Sequence, residues 1–322
     1  MSHSYKVDDP LDHRAVANTV TTALNAGAAE HVERIGMGST NLIYRVKLPD
    51  ASVILKVSHR PDRIETGVLA KEANVLRRLG TTTLAVPIPT VLWEGKTDVE
   101  LPAIIITHLP GQPISTLLGK RISFTDAFRT LGAFNAQMNQ QTHDVIDEFE
   151  PDRPRFESFP ACATYWLDQW KPLLDRAEPQ HVSQAQLNAA REYILGNLSA
   201  FDDEVWSYVH SDLSAENVLG TVKGGQLILT GVCDFETVQT GPVEYDLGTA
   251  WNNYFVRYPS LEQPFMEGYT SVRSLHPKFN ERMVVSSLFR ALRYMKRSVK
   301  YKEVHYYDQD RQFLETWLER AK

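Results

Sequence analysis

The stretch SYVHSDLSAENVLGTVKGGQLILTGVCDFE, residues 207–236, decides the fold of this chain. Residues 206–209 are apolar and aromatic, as expected of a short buried strand. Residues 218–222 and 226–232 flank a Lys-Gly-Gly turn, which favours a β-hairpin because glycine tolerates positive φ angles. The hairpin would return Asp234 to a position beside Asn217, so that Asp212, Asn217 and Asp234 converge at one end of it.

These three side chains are of the types that phosphoryl transfer requires. One carboxylate, Asp212, can orient an attacking hydroxyl and accept its proton, while Asp234 and the amide oxygen of Asn217 can hold Mg²⁺ against phosphates. Protein oxygens suit Mg²⁺, and few are needed because water and phosphate complete its octahedron. The His-x-Asp triplet at residues 210–212 is common in ordinary loops. The full pattern, His-x-Asp-(x)4-Asn followed by Asp-Phe, is similar to the catalytic loop and metal-binding segment of kinases.

A glycine-rich turn near the N-terminus, GMGSTN at residues 36–41, is the candidate phosphate-binding segment. Residues 31–35 and 42–48 are strand-like, so the turn joins two strands, whereas a dinucleotide fold or a Walker P-loop needs glycines that open a helix. We expect Ser39 and Thr40 to donate hydrogen bonds to phosphate. Asn41 stands where kinases have a third glycine, and an ordinary hairpin turn is the alternative interpretation.

A lysine in an apolar strand is the next candidate. Lys56 lies in the sequence ILKVS, where an unpaired ammonium group would be costly. We expect it to contact phosphates and to pair with Glu72, which lies on a helix predicted over residues 64–79. A solvated lysine at a sheet edge is the alternative.

The turn HLPG at residues 108–111 marks a change in the character of the chain. A predicted strand at residues 101–107 precedes it, and mostly helical patterns follow it. If the chain resembles a bilobal kinase here, backbone groups near Thr107 and Leu109 would hydrogen-bond the nucleotide base between the two lobes. A plain interdomain turn would show the same residues.

Residues 279–299 form a strongly amphipathic pattern that predicts a long helix. Its other side carries a basic stripe, which we interpret as a solvated face without an assigned role. The stripe consists of Arg290, Arg293, Arg297 and Lys300.

Composition limits the function classes. The chain has 322 residues, of which 43% are hydrophobic and 23% charged, as in globular proteins. A net charge of −6 argues against binding of nucleic acid or an anionic membrane surface. The two cysteines, Cys162 and Cys233, lie far apart and indicate neither a disulfide framework nor a zinc site. No apolar run reaches the length of a membrane span and no signal peptide is evident. The cysteine usage suits a reducing cytoplasm, which is the expected location, and we expect a monomer or homodimer.

Taken together, residues 30–255 resemble the aminoglycoside phosphotransferase and choline kinase-like family. The segments that carry the resemblance are HSDLSAENVL, CDFE, GPVEYDLG, IPT and HLPG. The resemblance implies an α+β, bilobal protein kinase-like fold. Its N-terminal lobe, residues 1–107, would hold an antiparallel sheet, and its C-terminal lobe, residues 112–322, would be larger and mainly helical, with a hinge at residues 107–111.

The resemblance also implies a reaction, the Mg²⁺-dependent transfer of the γ-phosphoryl group of ATP or GTP to a small-molecule hydroxyl. By position, Asp212 would be the catalytic base, Asn217 and Asp234 the metal ligands, and His210 a structural support. Ser211 departs from the family pattern, since glycine is common there. No activation loop follows Asp234, which makes a protein substrate less favoured than a small molecule.

The acceptor stays open at this level. An aminoglycoside or another antibiotic is the first expectation, and acidic residues at 144–152 and 202–204 could meet its amines. Choline, an amino alcohol or a sugar is the alternative, and an aromatic cage could bind a quaternary amine. The candidates for such a cage are Trp166, Trp170, Trp251 and Tyr254.

Two other function classes are a nucleotide-binding scaffold without catalysis, which would lack Lys56 or an aspartate, and a metal hydrolase, which would need further metal ligands.

Overall fold

A computed structural model describes residues 11–37, 41–178, 181–203, 205–302 and 304–322 of the chain. Its N-terminal part begins with helix α1 (His13–Leu24), strands β1 (His31–Met37), β2 (Asn41–Lys47) and β3 (Ser52–Ser58), and helices α2 (Pro61–Glu65) and α3 (Val68–Leu79). Strands β4 (Val91–Lys96) and β5 (Pro102–Thr107) complete a sheet of order β1-β2-β3-β5-β4. All neighbouring strands in it are antiparallel.

Strand β3 is buried on both faces, and this determines where its lysine points. Val53, Leu55 and Val57 pack in the apolar cluster that contains α1, whereas Ile54 packs in the cluster that contains α3. Because side chains alternate along a strand, Lys56 shares the α3 side with Ile54. The period of the strand therefore directs the ammonium group toward Glu72.

The helix predicted over residues 64–79 is interrupted, which is a correction to the sequence-based expectation. Helix α2 ends at Glu65, and Gly67 adopts φ = 63° before α3 begins at Val68. Glycine adopts this left-handed conformation without steric cost, so it separates the two helices. Glu72 still lies in the helical part, on α3.

The C-terminal part is mainly helical and carries two small sheets. Strand β6 (Gln112–Pro113), helix α4 (Thr125–Asn139), strand β7 (Thr142–His143) and helices α5 (Phe159–Leu174) and α6 (Gln184–Gly196) come first. Strands β8 (Trp206–Val209), β9 (Val218–Lys223), β10 (Gln226–Val232) and β11 (Gln239–Gly241) follow, and the sheets have the orders β10-β9-β6 and β11-β8-β7. Helices α7 (Glu244–Ala250), α8 (Glu262–Thr270), α9 (Phe279–Tyr301) and α10 (Val304–Arg320) end the chain.

This mixture of an antiparallel sheet and a helical part confirms the predicted α+β fold class. The predicted hairpin is β9–β10, with Lys223 opposite Gln226 and both turn glycines at positive φ. The lobe limits at residues 107 and 112 stay predictions. Among the helices of the described ranges, none combines the length and apolar character that crossing a bilayer requires.

The interpretation of the basic stripe on α9 as a solvated face is wrong for two of its four residues. Arg290 is 5% exposed, and Arg293 lies half-buried with its guanidinium 3.1 Å from Glu148. Arg297 and Lys300 are exposed as expected. Helix α9 packs against α5, α6, α7 and α10, so most of its circumference is covered and the first half of the stripe faces protein.

Helices α4 and α8 cross at two glycines that allow the backbones to touch. A Cβ atom on Gly132 would lie 1.9 Å from the carbonyl oxygen of Phe265, and one on Gly268 would lie 1.8 Å from that of Arg129. Real Cβ atoms cannot approach a backbone oxygen so closely. The crossing distance of α4 and α8 therefore requires glycine at both positions.

We expect Gly132→Ala and Gly268→Ala each to lower the free energy of unfolding by about 1–3 kcal/mol or more, because the helices must separate. Chemical denaturation followed by circular dichroism measures this. Gly196→Ala is the matched control, since a Cβ there meets nothing within 4 Å. The control should leave stability unchanged or raise it by up to about 1 kcal/mol, and equal behaviour of all three variants would contradict the close crossing.

Candidate active site

The loop between β8 and β9 carries the predicted catalytic aspartate, and Asp246 holds its backbone. The carboxylate of Asp246 accepts hydrogen bonds from the N–H groups of His210 and Ser211 at 2.9 and 2.8 Å. Ser211 has φ = 65°, a conformation that a non-glycine residue keeps only when its surroundings hold it. Two strong acceptor bonds to successive N–H groups supply that restraint.

Asp246 itself is fixed from helix α4. It is fully buried, and the side-chain amides of Asn135 and Asn139 donate to it at 2.9 and 3.4 Å. Asn139 also donates to the carbonyl of Tyr208 on β8 at 2.7 Å. The sequence contained Asp246 only within the family-like segment GPVEYDLG, and the structure shows what it contacts. Its place in that segment was the only sequence signal for it.

The ring of His210 lies inside the loop. Its Nδ1 accepts the N–H of Asp212 at 3.3 Å, its Nε2 lies 3.3 Å from the carbonyl of Cys233, and Phe235 packs on it at 4.8 Å between ring centroids. The side chain is fully buried. These contacts tie the loop to the metal-binding segment, which agrees with the supporting role that the resemblance implied.

Asp212 and Asn217 are in direct contact. The amide of Asn217 donates to the backbone carbonyl of Asp212 at 2.9 Å and to its carboxylate at 3.0 Å. The N–H of Cys233 donates to the carbonyl of Asn217 at 2.9 Å, so the hairpin delivers Asp234 to the same end as predicted. Burial raises the pKa of Asp212 above its usual value, the charge of Asp234 adds to this rise, and His210 and Arg290 oppose it.

Lys56 lies between two carboxylates. Its Nζ atom is 2.6 Å from Glu72, the partner expected from the sequence, and 2.9 Å from Asp234. The other oxygen of Glu72 accepts the N–H of Phe235 at 3.2 Å. Burial alone would lower the pKa of Lys56, but Asp234, Glu72 and Glu236 together raise it well above its usual value. Lys56 is therefore a firmly charged ammonium group.

Glu236 belongs to the same cluster, although it was not among the site residues expected from the sequence. Carboxylate oxygens of Glu72, Asp234 and Glu236 all lie within 4.8 Å of one another. The amide of Asn41, which follows the glycine-rich turn, donates to Glu236 at 2.6 Å. Three carboxylates face one ammonium group here, and hard oxygen donors with excess negative charge suit Mg²⁺. The residues present therefore fit that ion.

Arg290 is a site residue that sequence reasoning missed. Its guanidinium donates to the carbonyl of Ser211 at 2.6 Å and lies over the rings of Tyr245 and Tyr294. Its charge lowers the pKa of Asp212 and partly offsets burial. Only the packing of α9 against the loop could reveal this, because helical spacing assigned Arg290 to a solvated stripe.

The remaining predicted nucleotide contacts stay predictions. Ser39 and Thr40 lie outside the described residues. The N–H of Thr107 donates to the carbonyl of Thr90 at 2.9 Å, so Thr107 could offer a base only its carbonyl. The side chain of Leu109 packs against Gly231 on β10, two residues before Cys233, so the predicted hinge touches the strand that leads to Asp234.

The family model of the phosphotransferase enzyme family matches residues 31–278. The chain belongs to this family. It is therefore a phosphotransferase, which confirms the recognition made from the sequence and the predicted enzyme class. Among curated proteins, none has a sequence that matches this phosphotransferase significantly.

Solved structures show the fold of this phosphotransferase in related enzymes. The aminoglycoside phosphotransferase APH(4)-Ia is 15% identical with a TM-score of 0.70, covering 97% of this chain and 100% of its own. A putative fructosamine-3-kinase from Haemophilus somnus is 17% identical with a TM-score of 0.66, covering 95% and 97%. The GDP complex of aminoglycoside 2'-phosphotransferase-IIIa is 13% identical with a TM-score of 0.67, covering 97% and 100%. At these identities the likeness concerns the fold, and it confirms the protein kinase-like architecture.

We expect Asp246→Asn to lower kcat strongly and to reduce the free energy of unfolding by about 1–3 kcal/mol, because an amide group would face donors that now bind a carboxylate. The KM for ATP should change little, since the Lys56–Glu72 pair does not depend on Asp246. Steady-state kinetics and thermal melting measure these effects. Asp126→Asn, at the exposed start of α4, is the control, and a variant of Asp246 with normal kcat would show that the loop does not need it.

Proposed function

We propose that this phosphotransferase is a kinase that transfers the γ-phosphoryl group of ATP or GTP to a hydroxyl group of a small molecule. The observation that carries the proposal is that two pairs of contacting residues lie side by side. Asp212 touches Asn217 on the catalytic loop, and Asp234, delivered beside them by the hairpin, binds Lys56. A base, an amide ligand, a metal carboxylate and a phosphate-binding ammonium group are thus assembled in the order that phosphoryl transfer needs.

The nucleotide would lie against the N-terminal sheet. Lys56 would bind its phosphates, and Glu72 keeps Lys56 charged and oriented. Asp234 and Asn217 would hold Mg²⁺, with Glu236 close enough to take part. When bound, the ion neutralises charge on the phosphate oxygens. Ser39 and Thr40 would contact the phosphates, and the backbone of Thr107 and Leu109 would contact the base.

Asp212 would act on the acceptor hydroxyl. The acceptor oxygen forms a bond to the γ-phosphorus while the bond from that phosphorus to the leaving nucleoside diphosphate breaks. The hydroxyl proton passes to the carboxylate of Asp212. Because phosphoryl transfer is loose, the proton moves late, and orienting the hydroxyl is a large part of what Asp212 contributes.

A small-molecule acceptor is supported by the short path after the metal-binding segment. The chain runs from a 3-10 turn at Phe235–Thr237 directly into β11, which begins at Gln239. A protein kinase needs a longer segment there to present a peptide. The acceptor cavity lies beside Asp212, between helices α7, α9 and α10.

Two acceptor features suggested by the sequence do not face this cavity. The acidic residues at 147–150 and 203 pair within the protein, for example Glu148 with Arg293 and Asp203 with Arg282. Of the four candidates for an aromatic cage, Trp170 and Tyr254 are buried, Trp166 stacks on Trp170 and Trp251 packs on Trp317. None of the four lines the cavity. Neither feature lines the cavity beside Asp212, whereas Asp144, Asp152 and Asp202 are exposed elsewhere on the surface. The catalytically inactive scaffold is not favoured, because Lys56, Asp212 and Asp234 are present and assembled.

We expect the two aspartates to differ when each is replaced by asparagine. Asp212→Asn should leave the affinity for Mg·ATP nearly unchanged and lower turnover by about a hundredfold or more, as loss of a general base does. Asp234→Asn should weaken Mg²⁺ and nucleotide binding together. Calorimetric titration of Mg·ATP and turnover with an identified acceptor measure both.

Asp98→Asn, in an exposed turn, is the matched control for these two variants. It should behave as the unchanged protein in both measurements. Equal losses of nucleotide affinity in the Asp212 and Asp234 variants, or normal turnover by Asp212→Asn, would refute the assignment.

We expect Lys56→Ala to raise the KM for ATP by about tenfold or more, because charge-assisted hydrogen bonds to phosphate contribute about 1.5–3 kcal/mol. The measurement is the initial rate across a range of ATP concentrations. Lys47→Ala, on the exposed end of β2, is the control. Full turnover by Lys56→Ala at low ATP would exclude the proposed role.

A further inference from the structure

The cavity beside Asp212 has walls of a definite chemistry. Its volume is about 220 Å³, below the roughly 300–1,000 Å³ of pockets that enclose drug-sized ligands. A single sugar-sized ring is of a size to fit it, and a larger acceptor would extend out of its open side. Its lining comprises Asp212, Thr249, Asn252, Asn253, Tyr294, Arg297, Ser298, Tyr306, Gln309, Asp310 and Phe313.

One wall of the cavity is a π-helical turn, Trp251–Phe255, that continues α7. A π-helical turn is wider than an α-helical one, and such turns are frequent at functional sites. Trp251 packs edge-on against Trp317 at 5.2 Å, and Tyr254 and Phe255 are buried, so the turn is anchored on both sides. The two residues between these anchors, Asn252 and Asn253, both line the cavity.

The side-chain amides of Asn252 and Asn253 are the candidates for binding the acceptor. Both side chains are half-buried, and neither makes a hydrogen bond with any described residue. Neither amide belongs to the buried polar atoms that lack a partner, so both are open to the cavity, where a ligand can take the place of water. Each amide offers an acceptor oxygen and two N–H donors, which matches a hydroxyl group that both donates and accepts.

The charges of the cavity are nearly balanced. Among the described residues that line it, the acidic ones are Asp212 and Asp310 and the basic one is Arg297. Asp310 accepts a hydrogen bond from Ser298 at 2.5 Å, so it is engaged within the wall. Several ammonium groups would need several carboxylates nearby. Instead the cavity offers amides, the hydroxyls of Thr249 and Ser298, and the rings of Tyr294, Tyr306 and Phe313.

We propose that the acceptor presents a neutral polyhydroxylated ring, as a sugar or a cyclitol does, and that Asn252 and Asn253 bind the hydroxyls next to the one that Asp212 orients. The aromatic rings supply the apolar contact for the C–H face of the ring. This inference rests on the proposed kinase function and narrows its substrate class. It replaces the expectation of a polycationic aminoglycoside with a neutral acceptor, which needs no further carboxylates in the cavity.

The first test compares two sets of acceptors. Purified protein with Mg·ATP is assayed for ADP release against neutral hexoses, hexitols and inositols, and against polycationic aminoglycosides, with phosphorylated products identified by mass spectrometry. The expected result is phosphorylation of a neutral polyol in an Asp212-dependent manner. Preferred phosphorylation of an aminoglycoside would overturn the inference and leave the kinase function standing.

The second test uses variants of the two amides. Asn252→Leu and Asn253→Leu keep the approximate size and remove the hydrogen bonds, so each should raise the KM for the neutral acceptor by about tenfold or more while the KM for ATP stays constant. Asn280→Leu, on the exposed start of α9, is the matched control. An unchanged acceptor KM in both variants would overturn the inference.

The remaining outcomes separate the inference from the proposed function. Calorimetric binding of Mg·ATP that is weakened by Asp234→Asn, together with phosphorylation of neither acceptor set, would contradict the acceptor class alone. Failure to bind Mg·ATP at all would contradict the kinase function itself.

Discussion

The buried ammonium group of Lys56 is the interaction on which the rest of the structure depends. It lies 2.6 Å from Glu72 on α3 and 2.9 Å from Asp234 after β10, and thus joins the sheet, its main helix and the C-terminal part. Its side chain is 5% exposed and that of Glu72 is 1% exposed. A charge this deeply buried is tolerated only when it is paired, so loss of either partner would leave an uncompensated charge. The pairing therefore constrains the position of α3 relative to the metal-binding segment.

The catalytic loop depends in a similar way on a buried charged group, which here is the negative carboxylate of Asp246. Asp246 is buried and is satisfied entirely by donors, two from the loop backbone and two from asparagines of α4. Arg290 binds the carbonyl of Ser211 on the other side of the same loop. Charge-assisted hydrogen bonds of this kind are short and strong, and they hold Ser211 in its left-handed conformation. The orientation of Asp212 thus depends on residues that never reach an acceptor.

Several buried carboxylates of the chain are paired with basic residues. These carboxylates are therefore not available to form a surface that binds cations. Glu148 binds Arg293, Asp147 binds Arg155, and Glu244 binds Arg282. Among the residues that the structure describes, the cavity beside Asp212 is lined by three amide side chains and by only three charged residues, Asp212, Asp310 and Arg297. Net charge alone therefore says little about the charge of the acceptor.

The sequence by itself determined the local geometry and the spacing of the site. Alternation along β3 directed Lys56 to the face of α3, and the glycines of the β9–β10 turn returned Asp234 to Asn217, because both effects act over a few residues. Only the tertiary structure decided the roles of Asp246, Arg290 and Glu236 and the accessibility of Asn252. Asn41 meets Glu236 across 195 residues and Arg290 meets Ser211 across 79. Such contacts depend on which faces of a helix are covered by other elements. The hydrophobic periodicity of a sequence shows that a helix has an apolar and a polar face, but it does not show how many elements pack around that helix.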